Sequence, residues 1–489
     1  MAAICVDAGT TVIKAVGYGA DGAEVASARR TVAVSRPAPG HAEQDMEAVW
    51  SAVAAVVAEV GAEVGAVDFL ALTAQGDGCW LVGPDGEPTG PAVLWNDARA
   101  AGIVRDWTRA GVTERAFRIN GSTPASGLPS AILAWLGRHD PGRIARSATA
   151  LNCGGWLFAR LTGRLVTDYS SFTDLLAARY SPELLALFGV EWAERLLPEL
   201  RLTDRVEPLT ETAAGRLGLP PGTPVVLAPY DIAATALGAG AVTDGQACAI
   251  LGTTLCTEVV TGAPSLTGDP VGVTVALGSA YLRALPTFAG TEVIHWACRL
   301  LGLSGPAELA DLAARGAPGA GGLVFLPYLS PAGERAPFSD PLARGSFLGL
   351  SLEHGREHVA RAVLEGLALV IGDCLAVAGG SPRELRVCGG GAASALWVRL
   401  IADVTGLPVR RAADTEAGAR GAHLTGLVAT GAAPSLEAAA AEHVRPGRAI
   451  EPSSSVGTFP DASALGEFVA LREAASATWP LLAGLRDRS

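Results

Sequence analysis

The first thirty residues are laid out as short apolar runs broken by turn residues. Residues 3–7 (Ala-Ile-Cys-Val-Asp) form one run, Ala8-Gly9-Thr10-Thr11 a turn, and residues 12–19 a second run. Asp21-Gly22 then leads into residues 23–34, so the segment predicts a β-meander. The period changes afterwards. Apolar positions three and four apart over residues 46–60 predict an amphipathic helix, and the unbroken run 67–73 predicts a buried strand.

The same order returns halfway along the chain. Residues 246–251 (Gln-Ala-Cys-Ala-Ile-Leu), the turn Gly252-Thr253-Thr254 and residues 255–260 again read strand, turn, strand. Two such units at half-chain spacing predict two related lobes. The join falls at residues 238–244, after a small-residue helix over 231–237, which gives lobes of residues 1–240 and 241–489. Strands alternate with helical segments in both, so the class is α/β with mixed sheets covered by helices.

Composition narrows the function. The 489 residues suffice for roughly two to four cores. With 49% hydrophobic and 18% charged residues, the chain is not a disordered one. A net charge of −12 with no basic run argues against nucleic acid or an anionic membrane surface as partner. The most apolar stretches, 48–74 and 364–378, are broken by Glu59, Glu63 and Asp68 and by Glu365 and Asp373, which fits buried elements better than membrane spans. No signal-peptide pattern opens the sequence, and eight scattered cysteines without a Cys-x-x-Cys pair read as reduced thiols; the expected compartment is the cytoplasm.

The candidate chemistry is phosphate binding. A turn between two strands aims successive N–H groups the same way, and Gly9 lets an anion approach the main chain. Thr10 and Thr11 add hydroxyls, and Asp7 could hold a water on Mg²⁺. Lys14, the one lysine among 37 basic residues, adds a compact positive charge. Gly252, Thr253 and Thr254 repeat the nest, so two turns could clamp one polyphosphate. A third anion-accepting surface is the turn Gly389-Gly390-Gly391 before a helix starting at Ser394; a tight strand–helix connection explains it equally well. No Gly-x-x-x-x-Gly-Lys-Ser/Thr sequence occurs.

Asp231 in Pro229-Tyr230-Asp231 opens a helix, either as an ordinary N-cap or as a base facing a cleft. Gln75-Gly76-Asp77-Gly78 and Leu94-Trp95-Asn96-Asp97-Ala98-Arg99 offer amide, carboxylates, guanidinium and indole, the set a polyhydroxylated ligand needs. The plain alternative is a turn with a structural Asp97–Arg99 pair.

These motifs resemble the FGGY carbohydrate kinases, over essentially the whole chain. The most specific match is Gly345-Ser346-Phe347-Leu348-Gly349-Leu350 and, seven residues on, His358-Val359-Ala360-Arg361-Ala362-Val363-Leu364-Glu365, preceded by Gly333-Glu334-Arg335-Ala336-Pro337-Phe338. One departure is visible: Ile132 stands where the family's N-terminal signature usually has lysine.

The resemblance implies two actin-like (ribonuclease H-like) lobes with an interlobe cleft, and Mg-ATP as phosphoryl donor. It implies Asp231 as catalytic base, with Asp7 and Asp231 acting on Mg²⁺ through water. Asp7, Gly9, Thr10, Thr11 and Lys14 match the first phosphate loop and Gly252, Thr253 and Thr254 the second, with Gly389, Gly390, Gly391 and Ser394 on the nucleoside side. Gln75, Gly76, Asp77, Trp95, Asp97, Arg99 and Tyr230 fall where the family holds its sugar.

Within the family, residues 94–99 resemble xylulokinases, but those usually carry Met-His in place of Gly76-Asp77. Residues 73–81 look closer to erythritol kinases, and the Gln-Gly-x-Gly core is similar to L-xylulose kinases. The expected partner is therefore a four- or five-carbon polyol or ketose, erythritol first, with a homodimer as the expectation for assembly. The rival class is a nucleotide-switched binding protein on the same scaffold, like actin or a chaperone ATPase.

Overall fold

The computed structural model describes residues 1–201, 206–453 and 463–486. They form two α/β domains, each on a six-stranded mixed sheet. The first contains β1 (Ala3–Ala8), β2 (Val12–Tyr18), β3 (Glu24–Thr31), helix α1 (Met46–Val64), β4 (Phe69–Ala74), β5 (Val206–Pro208), β6 (Pro224–Leu227) and helix α2 (Asp231–Gly238), with strand order β5-β6-β4-β1-β2-β3. The second contains β7 (Gln246–Leu251), β8 (Leu255–Thr261), β9 (Val273–Leu277), β10 (Ala280–Pro286), α3 (Arg356–Ala378), β11 (Glu384–Cys388), α4 (Ala395–Thr405), β12 (Val409–Arg411) and α5 (Ala417–Ala429), ordered β9-β10-β8-β7-β11-β12.

The repeat seen in the sequence is a repeat of topology. Each sheet centres on an antiparallel hairpin, β1–β2 or β7–β8, extended by another antiparallel strand, β3 or β10. On its other side the hairpin meets a parallel strand reached through a long helix: β4 after α1, and β11 after α3. A second parallel strand, β6 or β12, then feeds α2 or α5. The predicted meander and first helix are present, with shifted ends. Asp45 starts α1 by accepting from Glu47 N and Ala48 N, and the chain leaves it at Gly65 with φ of 78°.

Three hydrophobic clusters belong to single regions: one under each sheet, and one among the helices inserted between β4 and β5. Ile132, at the family's lysine position, is fully buried in that inserted core, so its apolar side chain suits its place. A fourth cluster crosses the domain boundary and includes residues of β1, α2, β7 and α5. There α2 and α5 cross backbone to backbone. A Cβ on Gly238 would lie 1.8 Å from Ala417 O, and one on Gly421 would lie 1.8 Å from Ala234 O. Their Ala- and Gly-rich sequences permit that approach; larger side chains would hold the axes apart. No helix among the described residues is long and apolar enough to cross a membrane.

Candidate active site at the lobe junction

β1, β4 and β6 run parallel and side by side, so their carboxyl ends open onto one edge of the first sheet. Such edges are where ligands bind in α/β sheets. Asp7 sits near the end of β1, Gly76 and Asp77 follow β4, and Tyr230 and Asp231 follow β6. All three residues are partly buried.

Asp231 is not an N-cap. It is the first helical residue, after Tyr230, and its Oδ1 accepts from Ile232 N at 2.8 Å. Burial pushes its carboxyl up to about 7; the charge of Asp7 and, more weakly, that of Asp77 push the same way, and hydrogen bonds from Ile232 and Gly76 oppose them. Burial raises Asp7 to about 6, against Lys14 and helped by Glu416. Asp77 is raised to about 7 by burial, against the pull of Arg335. An acid raised to about 7 that senses two further carboxyls is suited to proton transfer near neutral pH.

Several predicted ligand residues are also hydrogen-bonded to one another and to neighbouring segments. Gln75 is 2% exposed; its Oε1 accepts from Thr10 Oγ1 at 3.0 Å and its Nε2 donates to Gln44 Oε1 at 2.9 Å. Trp95 Nε1 donates to the same Thr10 hydroxyl at 2.9 Å, so one threonine joins the first turn to the 94–99 segment. Asp97 is 0% exposed and accepts from Ala42 N at 2.6 Å and from Arg99 N and Nε, each at 2.8 Å. Arg99 also reaches Glu43 at 2.7 Å. Asp97 and Arg99 thus form an ion pair that ties the 94–99 segment to Ala42 and Glu43.

Gly76 is required by space. A Cβ there would lie 2.1 Å from Tyr230 Cδ2, so the Tyr230 ring fills the volume a side chain would take. Asp77 next to it holds a positive φ of 53°.

In the second domain, the Gly252-Thr253-Thr254 turn rests on Gly290, whose Cβ would lie 2.3 Å from Thr253 O. Gly389, at φ 84°, crosses the end of β7, where a Cβ would be 2.9 Å from Leu251 O. The triple-glycine turn therefore lies against the second hairpin. Gly390 has open space beside it, and Ser394 caps α4 by accepting from Trp397 N at 3.3 Å. Neither Gly9 nor Gly252 has a positive φ; their value is a bare approach to the backbone. Lys14 reaches across the junction to Glu416 Oε2 at 2.7 Å, and a Cβ on Gly418 would lie 2.8 Å from Asp7 Oδ2.

Models of the N-terminal and C-terminal domains of the FGGY family of carbohydrate kinases match residues 2–238 and 247–430. The chain belongs to this family. It is 33% identical to an erythritol kinase of Brucella abortus (strain 2308), over 98% of this chain and 96% of that one. It is 34% identical to a glycerol kinase of Alkalilimnicola ehrlichii, over 90% and 92% of the two chains. A ligand-bound xylulose kinase from Lactobacillus acidophilus has the same fold, with a TM-score of 0.93 at 23% identity, covering 98% and 99% of the chains. Membership decides for a carbohydrate kinase over a switch protein, and the family implies ATP as substrate. Near-equal identity to kinases named for different alcohols leaves the acceptor to be argued from the site.

The junction also brings in Glu416, which takes Lys14 and opens the small-residue stretch 416–422, readable in the sequence as close helix packing or a ligand edge; and two residues that local reading did not single out, Tyr169, whose ring lies 5.3 Å from that of Tyr230, and Arg335, over the Trp95 ring at 5.6 Å. Arg335 stands in the Gly333–Phe338 stretch that marks the family, which was the available signal. Among the described residues no group of three or more His, Cys, Asp or Glu side chains is arranged to hold a metal.

Proposed function

We propose that this FGGY kinase transfers the γ-phosphoryl group of ATP to a terminal hydroxyl of a four- or five-carbon polyol or ketose, with erythritol first. The observation that carries the reading is Asp231, opening α2 at the lobe junction with its carboxyl at about 7 beside Asp7 and Asp77. A base of that strength holds and releases a proton near neutral pH. The acceptor oxygen bonds to the γ-phosphorus, its proton passes to Asp231, and the bond from that phosphorus to the bridging oxygen breaks as ADP leaves. Positioning and charge stabilisation supply most of such catalysis.

In this reading the backbone of Gly9, Thr10 and Thr11, with Lys14, meets the phosphates from one lobe, and Gly252, Thr253 and Thr254 from the other. Gly389, Gly390, Gly391 and Ser394 form the nucleoside side. Asp7 and Asp231 fit Mg²⁺ held through water, because burial raises both, with the charge of Glu416 adding to it at Asp7 and that of Asp7 at Asp231, and a cation would relieve both. When bound, the ion neutralises charge on the phosphoryl group. Gly76, Asp77, Trp95 and Tyr230 face the acceptor, while Gln75, Asp97 and Arg99 keep them in position.

Erythritol is favoured by the run at 73–81 and by similarity to the Brucella erythritol kinase. The 94–99 run keeps a pentulose, as in xylulose or L-xylulose kinases, as the second reading. Eight buried thiols without a disulfide suit a reducing cytoplasm.

A coupled ADP-release assay across tetritols, pentitols and pentuloses tests the substrate class. In the same assay Asp231→Asn is expected to lose about 10²- to 10⁴-fold in turnover while still binding ATP. Near-normal turnover would remove Asp231 from the role.

A further inference from the structure

Arg335 reaches the cleft from the second domain and has no part in the scheme above. Its guanidinium lies 4.8 Å from the centre of the Phe288 ring and 5.6 Å from that of Trp95, stacked between one aromatic of each lobe. Nε donates to Pro286 O at 2.9 Å, which fixes the plane of the group. No protein acceptor takes its remaining N–H groups among the described residues.

Asp77 lies within its electrostatic reach: the Arg335 charge pulls the Asp77 carboxyl down against burial, and the charge of Asp77 supports the guanidinium. Asp77 Oδ1 is buried without a partner, and so is the Tyr230 hydroxyl. An unpaired acceptor and unpaired donors thus share one region of the lobe junction. Leaving such groups unpaired is costly, so the arrangement suits a ligand that completes it. A hydroxyl fits because it donates to Asp77 and accepts from Arg335 at once. A carboxylate does not, since Asp7, Asp77 and Asp231 would repel it.

The turn that carries Arg335 is tied to the second phosphate hairpin. The Glu334 carboxylate accepts from Phe288 N at 2.6 Å, Ala289 N at 3.2 Å and Arg335 N at 3.0 Å. The next residue, Gly290, packs on Thr253 and Thr254, and Thr291 N donates to Gly252 O at 3.0 Å. Arg335 and the Gly252-Thr253-Thr254 turn are therefore joined through one hydrogen-bonded segment, residues 286–291.

We propose that Arg335 is the second lobe's acceptor-reading residue. It shares the acceptor's hydroxyls with Asp77, so that acceptor binding and closure of the second hairpin over the nucleotide are a single event. The inference rests on the kinase reading above and adds a coupling between the two substrates.

The test compares wild type, Arg335→Gln, Arg335→Lys and Asp77→Asn on the best acceptor of the panel. Acceptor KM comes from ADP release, and ATP affinity is titrated with and without acceptor. Arg335→Gln is expected to raise acceptor KM about 10- to 100-fold and to abolish acceptor-induced tightening of ATP, with acceptor-free ATP affinity within about threefold. Arg335→Lys should recover part of both effects, and Asp77→Asn combined with Arg335→Gln should cost less than the two singles together.

Unchanged acceptor KM in Arg335→Gln, or equal loss of ATP binding without acceptor, would overturn the role and leave the kinase reading standing. A wild-type chain that phosphorylates no member of the panel would overturn the kinase reading itself.

Discussion

Lys14 on β2 and Glu416 before α5 form an ion pair of 2.7 Å across the lobe junction, with Lys14 about one-third exposed and Glu416 less so. The one lysine of the chain is thus engaged by a carboxylate on the opposite lobe, where nucleotide phosphates would compete for it. A partly exposed pair contributes at most about 1 kcal/mol. Glu416→Gln is therefore expected to tighten ATP roughly two- to fivefold by freeing the lysine. Lys14→Met should weaken ATP by about tenfold or more, since a charge-assisted phosphate contact is lost. Equilibrium nucleotide titration of both variants reads the result, and weaker ATP binding in Glu416→Gln would show that the pair positions Lys14 instead.

The pH profile of turnover should carry the signature of three neighbouring carboxylates. Asp231 takes a proton only when ionised, so kcat/KM for the acceptor should fall as pH drops below about 7. Asp77 helps hold Asp231 up, so Asp77→Asn should move that acid limb to lower pH, whatever it does to the height of the profile. The limb belongs to the cluster and not to one residue. An unmoved midpoint in Asp77→Asn would mean the limb reports a group elsewhere.

Stability should follow the opposite course from activity. Asp231 rises from 3.8 to about 7 on folding, so between those values the folded chain holds a proton that the unfolded chain has released. Stability from this group is therefore full below about pH 4 and declines as pH rises toward 7. Asp231→Asn removes the decline. The variant should be more stable than wild type by about 1–3 kcal/mol at pH 8, with the difference fading near pH 4. Urea unfolding of the ligand-free protein at the two pH values measures it.

How far the sequence reached depends on the separation of the partners. The hairpins at Gly9 and Gly252, the strand–glycine–helix at Gly389 and the helix at Asp231 are local patterns, and each was legible from a window of about ten residues. What a local window does not carry is tertiary. Gln75, Asp97 and Arg99 have the right chemistry for a sugar, and the fold adds hydrogen bonds linking them to Thr10, Gln44, Ala42 and Glu43. Arg335 meets Trp95 from the other domain, and Glu416 meets Lys14 from near the far end of the chain. No periodicity links residues that distant, and only the folded sheets bring them together.

The relation between Gly76 and Tyr230 sets the final expectation. Because a Cβ at residue 76 would sit 2.1 Å from the Tyr230 ring, even Gly76→Ala should push that ring out of its place and raise acceptor KM. The exchange of Gly76-Asp77 for Met-His, which would mimic xylulokinases, should on its own give a poorly active protein and not a pentulose kinase. The clash lies with an aromatic ring on the next loop, so Tyr230→Ala should relieve it, and the combined variant should bind acceptor better than the Met-His exchange alone. A double-mutant cycle on acceptor KM is expected to show coupling of about 1–3 kcal/mol between positions 76 and 230. Additive effects would mean that Tyr230 can swing aside at little cost, and substrate choice would then rest on Asp77 and Arg335.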